Sequence, residues 1–220
     1  MKGQYMDILH KQTNERSGLG WILMLFEASE NYGYSPLDMT ILHRVVYLAN
    51  VICPIYKIIM PDSYTIKNMR GPYFPNVQRD VNSLIIKGLL TPNNIKPYKD
   101  EHGFWLDGEF RISVTGLKVF KNITQNSSIN RISLFLREFI RSINDLSREE
   151  LIKLAESEIH YNFSADSESL DFSFPDNNIS LGASNEMYPN DRIRTTRESI
   201  HRYMLYMKKY SLLKNGCGDV

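Results

Sequence analysis

An amphipathic helix followed by an alternating strand pattern is the clearest feature in the middle of the chain. Pro75 suits the first turn of the helix, and Gly88 suits its left-handed cap. The helix has one apolar face, formed by Val77, Val81, Leu84 and Ile85. Leu89 and Leu90 predict the start of a strand, residues 92–103 a turn, and residues 104–114 a returning strand. A helix followed by a hairpin, within about residues 66–120, predicts a winged-helix unit.

Helical patterns also lie on both sides of this unit. Ser35 and Pro36 predict the start of a helix, because Ser35 can accept an orphan backbone N–H and Pro36 fits the first helical position. Ser147 and Glu150 are spaced as a capping box. The pattern predicts helices at about 20–30, 35–52, 129–146, 148–160 and 195–213. The predicted fold class is α+β, mainly helical, with a central winged-helix unit made of a helix and a β-hairpin wing.

These patterns divide the chain into four segments. Residues 1–16 form a polar N-terminal segment, and residues 17–160 form a helical domain that contains the winged-helix unit. Residues 161–194 are polar and acidic, which predicts a loop or a segment ordered by a partner. Residues 195–214 form a basic C-terminal helix.

Charge is unevenly distributed in the last third of the chain, although the net charge is only +1. Residues 147–191 hold ten acidic and two basic residues, whereas residues 192–214 hold seven basic residues and one acidic residue. Such a contrast is typical of an acidic segment beside a basic contact surface. The two segments can equally neutralise each other within the fold.

Composition indicates a globular cytoplasmic protein. The chain has 220 residues, of which 42% are hydrophobic, so it can build a core of ordinary size. Only two cysteines occur, Cys53 and Cys217, and no disulfide framework is expected. The apolar stretch at residues 19–26 is too short to span a bilayer and has no cleavage site after it, so we expect neither secretion nor membrane insertion.

The sequence contains no strong catalytic motif. A phosphate-binding loop is missing, and the five histidines are scattered without metal-ligand spacing, so we expect no catalytic residue, cofactor or metal site. His43 is a candidate base, although a lone helical histidine is more often a packing residue. Asp107, Glu109 and Arg111 alternate on the second predicted strand and form the nearest approximation to a nuclease site. The alternative is an ordinary solvated strand face.

The surface of the winged-helix unit offers few cations for DNA. The candidate DNA contacts are Arg70, Arg79, Asn82 and Lys87. Acidic residues on the hairpin, including Asp107 and Glu109, bring the exposed charge of helix and hairpin close to zero. Phosphate neutralisation supplies most of the affinity for DNA, so this balance favours a protein-binding unit.

The polar segment at residues 161–194 carries apolar side chains that are costly to leave in water. Such a segment suits ordering against another subunit, together with the arginines that follow it. The predicted partner-binding residues are Leu170, Phe172, Phe174, Tyr188, Arg194, Arg197 and Arg202. Alternatively, the aromatic side chains fold back on the helix that begins near Ile129.

Three segments of the chain resemble the middle component of ABC-three-component systems and of the related Lamassu defence operons. The segments are residues 41–50 (ILHRVVYLAN), 70–89 (RGPYFPNVQRDVNSLIIKGL) and 146–155 (LSREELIKLA). The second segment also resembles Panacea antitoxin-like domains and many winged-helix regulators. The first resemblance implies a small non-catalytic subunit that accompanies an SMC-like ATPase and a nuclease or other effector, with DNA reached through the complex. It supplies no catalytic residue.

Two classes of function therefore remain. The first is a non-enzymatic accessory subunit of an anti-phage or anti-plasmid complex, which bridges the ATPase and the effector and controls the effector. The second is a winged-helix DNA-binding regulator or antitoxin. A nuclease is a third reading, which rests only on Asp107, Glu109 and Arg111.

Overall fold

Two compact units, each built from two stretches of the chain, make up the fold. The computed structural model describes residues 19–56, 58, 60, 63–68, 71–100, 103–172 and 195–216. The first unit takes its described residues from 19–39 and 75–136, and the second takes them from 40–74 and from residue 137 onward. The described residues are mainly helical and also form two small antiparallel sheets, which confirms the predicted α+β, mainly helical class.

The helices and strands alternate in short runs along the chain. Before the hairpin they are helix α1 (19–31), strand β1 (Leu37–Asp38), helix α2 (Met39–Ile52), a 3-10 turn (Cys53–Tyr56), strands β2 (Tyr64–Asn68) and β3 (Gly71–Tyr73), and helix α3 (Pro75–Ile86). The hairpin consists of β4 (Leu90–Asp100) and β5 (Gly103–Ile112). After it come helices α4 (Val114–Ile123), α5 (Ser127–Ile143), α6 (Arg148–Ser157) and α7 (Ile159–Phe163), strand β6 (Ser169–Asp171) and helix α8 (Thr196–Gly216).

The sheet of the first unit has the strand order β1-β5-β4. Strands β4 and β5 pair from Leu90 opposite Ile112 to Asp100 opposite Gly103, with a register shift between Asn93 and Lys96. A hairpin in this region was predicted and is confirmed. The predicted turn at residues 92–103 is wrong, because backbone pairing continues through this polar stretch and the irregularity at Asn93–Lys96 absorbs the change of register.

The start of α2 also differs from the prediction. Ser35 was expected to cap this helix, but Leu37 and Asp38 pair with Phe110 and Glu109 as a short strand. The helix therefore begins at Met39. Pairing with β5 satisfies the backbone of these residues in a way that local sequence signals do not reveal.

The apolar stripe of α3 lies where its spacing predicted. Val77, Val81 and Leu84 are buried and Ile85 is half-buried, whereas Ile86 is exposed. Gly88 has φ +67° and ends this helix, with its N–H donated to the Ile85 carbonyl. The winged-helix assignment itself stays a prediction.

The second unit is built around α6 and a sheet of order β3-β2-β6. Helix α6 packs against α7, α8 and β3. Its start confirms the predicted capping box: the Ser147 side chain accepts from the Glu150 N–H at 3.2 Å, and the Glu150 carboxylate accepts from the Ser147 N–H at 2.7 Å.

Gly116 provides a test of the packing between α4 and the α3–β4 junction. A Cβ at this position would collide with the Leu89 carbonyl oxygen and would lie 2.8 Å from Cγ1 of Ile112. We expect Gly116→Ala to lower the free energy of unfolding by about 1–3 kcal/mol, because a backbone carbonyl cannot move aside cheaply. Urea denaturation measures this change.

Gly20→Ala is the matched control, since Gly20 is also helical and a Cβ there meets only Cδ1 of Ile123, at 3.7 Å. This variant should be neutral or stabilised by up to about 1 kcal/mol, from the higher helix propensity of Ala. Equal stabilisation of both variants would contradict the close contact at Gly116.

Candidate functional site

A groove in the second unit brings together two of the predicted partner-binding arginines. The groove has a volume of about 750 Å³ and lies between α5 and α8. Arg197 and Arg202 line it from α8, together with Thr195, Glu198, Ile200 and His201. From α5 and the residues just after it come Glu138, Arg141, Ser142 and Asp145. We call this feature the α5–α8 groove.

Charges in the α5–α8 groove are balanced and partly satisfied internally. The Arg197 Nε lies 3.3 Å from a carboxylate oxygen of Glu138. Glu198 accepts from the Thr195 N–H at 2.9 Å and so caps the start of α8. Three arginines therefore face three carboxylates, a balance that suits a polar peptide surface better than a free anion.

Of the apolar residues predicted to bind a partner, the structure describes Leu170 and Phe172. Leu170 lies on β6, opposite Thr65, and is half-buried. Phe172 is only 8% exposed, and its ring centroid lies 5.5 Å from those of Tyr47 and His160. The chain itself therefore covers the Phe172 ring, with Tyr47 on α2 and His160 on α7. Phe174, Tyr188 and Arg194 lie outside the described residues.

Tyr47 and His160, which contact Phe172, also contact a buried carboxylate that the sequence patterns did not indicate. Glu158 is 0% exposed and precedes α7, where it accepts from the backbone N–H groups of His160 at 2.9 Å and Tyr161 at 3.3 Å. His160 Nδ1 lies 2.8 Å from the second carboxylate oxygen, and the Tyr47 hydroxyl donates to the first. We call Tyr47, Glu158 and His160 the Glu158 cluster. Its donors offset the cost of burying the carboxylate.

Burial controls the ionisation of Tyr47. Loss of solvent is the main reason that its pKa lies well above the ordinary value for a tyrosine, and the Glu158 charge and its hydrogen bond raise the pKa further. The phenol therefore stays protonated at neutral pH and acts as a hydrogen-bond donor. The Glu158 cluster thus holds α2 and α7 together.

A partly exposed ion pair joins α2 to α6, with Arg44 buried and Glu156 41% exposed. The Arg44 Nη2 lies 2.9 Å from Oε1 of Glu156, and Nη1 donates to the Thr40 carbonyl at 3.0 Å. Gly71 lies against this guanidinium with φ +111°, and a Cβ there would approach Cζ of Arg44 to 2.6 Å. Glycine at position 71 therefore leaves room for Arg44 beside strand β3.

His43 has the features of a packing histidine. It is 6% exposed, and Nδ1 accepts from the Phe74 N–H at 3.2 Å. Its ring stacks on Phe74, with 7° between the planes. Nδ1 is an acceptor in this bond, so it holds no proton, and His43 satisfies the Phe74 backbone N–H.

Cys53 is a buried free thiol. Burial raises its pKa to about 12, so it is protonated at neutral pH and is a poor nucleophile.

Two of the candidate DNA contacts, Arg79 and Asn82, lie on α3, and Lys87 follows it directly. Arg79 and Lys87 are exposed, and Arg79 donates to the Asn76 side chain at 2.9 Å. Asn82 is half-buried on the same helix, and Arg70 lies outside the described residues. Their role in DNA contact stays a prediction.

The three residues of the nuclease reading have separate partners. Arg111 lies 3.3 Å from a Glu30 oxygen, whereas the Glu109 carboxylate accepts from the amides of Asn93 and Asn94 at 3.5 and 3.4 Å. Asp107 accepts from the Gly108 N–H at 2.9 Å. Within the described residues, no group of three or more His, Cys, Asp or Glu side chains is arranged to hold a metal.

Comparison with known protein families finds no match to this chain, and comparison with curated proteins finds no similar sequence. One stretch, Met39–Tyr56, is long and apolar enough to cross a membrane, and 78% of it is buried inside the fold, as in the core helix of a globular protein.

The ionisation of Tyr47 leads to a prediction about stability and pH. Tyr47→Phe should lower the free energy of unfolding by about 1–3 kcal/mol at neutral pH, because the buried Glu158 carboxylate loses a donor. The pKa of Tyr47 is about 10 in the unfolded chain and higher in the folded chain. The stability that this difference contributes is fully present below about pH 10 and is lost as pH rises from there towards the folded pKa. The difference between wild type and variant should therefore be constant below about pH 9 and shrink as pH rises above about 10, by up to about 1.4 kcal/mol per pH unit.

Urea denaturation across this pH range measures both effects. Tyr64→Phe is the matched control, because Tyr64 lies on β2 and is 47% exposed. A difference between wild type and Tyr47→Phe that stays constant with pH would show that Tyr47 does not ionise differently in the two states.

We also expect the purified chain to show no metal-dependent DNA cleavage, because Asp107, Glu109 and Arg111 are held by different neighbours. Incubation of plasmid DNA with Mg²⁺ or Mn²⁺ tests this. Cleavage by the wild type that disappears in Asp107→Ala, but persists in Asp38→Ala, would establish the nuclease reading instead.

Proposed function

We propose that the chain is a non-catalytic accessory subunit of a prokaryotic anti-phage or anti-plasmid defence complex, in which it bridges an SMC-like ATPase and a nuclease-type effector and controls the effector. The resemblance of residues 41–50, 70–89 and 146–155 to the middle component of such systems supports this proposal. The structural observation that carries it is the exposed part of the β4–β5 hairpin.

This hairpin extends beyond its supporting strand. In the described sheet, strand β1 pairs with β5 only at Phe110 and Glu109, so among the described residues the hairpin is two-stranded from there to its far end. We call residues 93–100 and 103–107 the distal ribbon. All five residues from Asn93 to Pro97 are exposed. Successive strand residues point to opposite faces, so both faces of the ribbon are open here.

A two-stranded ribbon open on both faces gains little stability from its own contacts. Isolated two-stranded hairpins are marginally stable in water, and a third strand or a packed face is normally required. A partner that packs on the distal ribbon would supply that face. The ribbon therefore suits a role as an arm that binds another subunit.

The charge of the distal ribbon favours a protein as that partner. Lys96 lies opposite Asp107 in the strand register, and Lys99 is close to Asp100. Ile95, between these charged positions, is 44% exposed. A nearly neutral surface with an exposed aliphatic side chain releases few counterions from DNA, but it provides the apolar contact typical of protein interfaces.

The second candidate function is a winged-helix DNA-binding regulator or antitoxin. The observation that favours it is the succession of α3 and the β4–β5 hairpin, with Arg79 exposed on α3 and Lys87 exposed just after it. A regulator should bind a specific duplex with submicromolar affinity at physiological salt. The accessory subunit should instead bind DNA weakly when isolated, since α3 and the hairpin are nearly neutral.

Assembly of the complex tests the proposal. We expect the chain to co-purify with the product of an adjacent gene for a long coiled-coil ATPase when the neighbouring genes are co-expressed. Ile95→Asp should reduce the recovered complex by about tenfold or more, because a carboxylate would be buried at the interface. The thermal midpoint of the isolated chain should change little, since Ile95 is already exposed.

Leu205→Asp on α8 is the matched control, because Leu205 is also 44% exposed. It should leave the recovered complex unchanged. Full assembly of the Ile95→Asp chain, or failure of the wild type to associate with any neighbouring product, would contradict the proposal.

A further inference from the structure

Acidic residues are missing from a long stretch that follows the hairpin. Residues 110–137 contain five basic residues and no Asp or Glu. The basic residues are Arg111, Lys118, Lys121, Arg131 and Arg137. Helix α4 and residues 127–136 of α5 lie in this stretch and belong to the first unit.

Between residues 115 and 131 the exposed side chains are all polar or positively charged, and Val114 and Leu134 are exposed apolar residues that flank this interval. Every exposed residue of the interval is Lys, Arg, Asn, Gln, Ser or Thr, and the apolar residues within it are buried or half-buried. We call the exposed residues of this interval the α4–α5 surface. It combines cations with amide and hydroxyl groups and contains no carboxylate.

A short connection brings the cations of the two helices close in the chain. Lys118 and Lys121 are one turn apart on α4, and three residues separate this helix from α5. Asn126 caps α5 by accepting from the Ser128 N–H at 3.0 Å and from the Ile129 N–H at 3.4 Å. Arg131 then lies in the second turn of α5, on an exposed position. The α4–α5 surface is therefore continuous along the chain and is built on ordered helices.

We propose that the α4–α5 surface binds the phosphate backbone of nucleic acid. Lys and Arg neutralise phosphates, and Asn, Gln, Ser and Thr side chains are the neutral groups that most often add hydrogen bonds to phosphate and sugar oxygens. A surface without carboxylates avoids repulsion of the backbone. Binding of this kind does not depend on base sequence, and it does not require the proposed accessory function.

The composition of the α4–α5 surface argues against two other anionic partners. A helix that lies on a membrane needs a continuous face of bulky apolar side chains beside its cations, whereas the exposed apolar residues next to the α4–α5 surface are single side chains, Val114 on α4 and Leu134 on α5. The core of a protein interface is enriched in aromatic residues and depleted of charge, which is the opposite of this surface. Nucleic acid fits both features.

Salt dependence of DNA binding by the full chain is the decisive measurement. The probe is a fluorescent duplex of about 30 base pairs and arbitrary sequence, titrated at several salt concentrations from about 50 mM upward. With Lys118, Lys121 and Arg131 on phosphates, log K against log salt should have a slope of about −3. The double variant Lys118→Ala/Lys121→Ala should bind about tenfold or more weakly at low salt and lose about two units of slope.

Two further variants control for net charge and for folding. Lys96→Ala/Lys99→Ala removes the same charge from the distal ribbon and should retain the slope of the wild type. Lys118→Arg/Lys121→Arg keeps the cations and should restore binding. A change of base sequence in the probe should change the affinity by less than about threefold.

Three results would overturn the assignment. In the first, the wild type does not bind the duplex even at low salt. In the second, loss of the ribbon lysines weakens binding as much as loss of Lys118 and Lys121. In the third, the chain sediments with anionic phosphatidylserine vesicles through Lys118 and Lys121 but does not bind the duplex, which would identify a membrane surface as the partner.

Discussion

The stability of the second unit depends on hydrogen bonds to one buried carboxylate, which would be costly to bury without them. Glu158 is fully buried and accepts from the Tyr47 hydroxyl, from His160 and from the first backbone N–H groups of α7. A buried charge is tolerated only where such donors are fixed in place, so α2 and α7 must keep their relative positions for the carboxylate to remain satisfied. Phe172 covers the same cluster and ties strand β6 to it. The stability of the second unit therefore depends on the hydrogen bonds of Glu158 as well as on apolar packing.

Local patterns predicted those parts of the fold whose causes are local. The α3 stripe of Val77, Val81 and Leu84 is buried as its spacing predicted, because a period of 3.6 residues directly reports the covered face of a helix. The capping box of Ser147 and Glu150 forms because both partners lie within one turn. The hairpin also followed from alternation along the chain.

The remaining features depend on partners that are distant in sequence. Leu37 and Asp38 become a strand only because β5 is present, and Glu158 is separated from Tyr47 by more than a hundred residues. Phe172 was predicted to bind a partner because its neighbours in sequence are polar, whereas Tyr47 on α2 and His160 on α7 pack against its ring. The acid-free interval of α4 and α5 could have been found by mapping charge over the whole chain instead of over the winged-helix unit alone. The structure adds that Lys118 and Lys121 are exposed on α4 and that Arg131 is exposed on α5.

The outer edge of β4 has a consequence for the behaviour of the protein at high concentration. Only β5 pairs with this strand in the described sheet, so its opposite edge is open. Pro92 and Pro97 lack the N–H that an incoming strand would need, and Lys96 lies between them on an exposed position. Prolines, lysines and irregular register are the devices by which natural edge strands resist adding further strands. The ribbon can therefore present its faces to another molecule while its edge discourages the growth of intermolecular β-sheet aggregates.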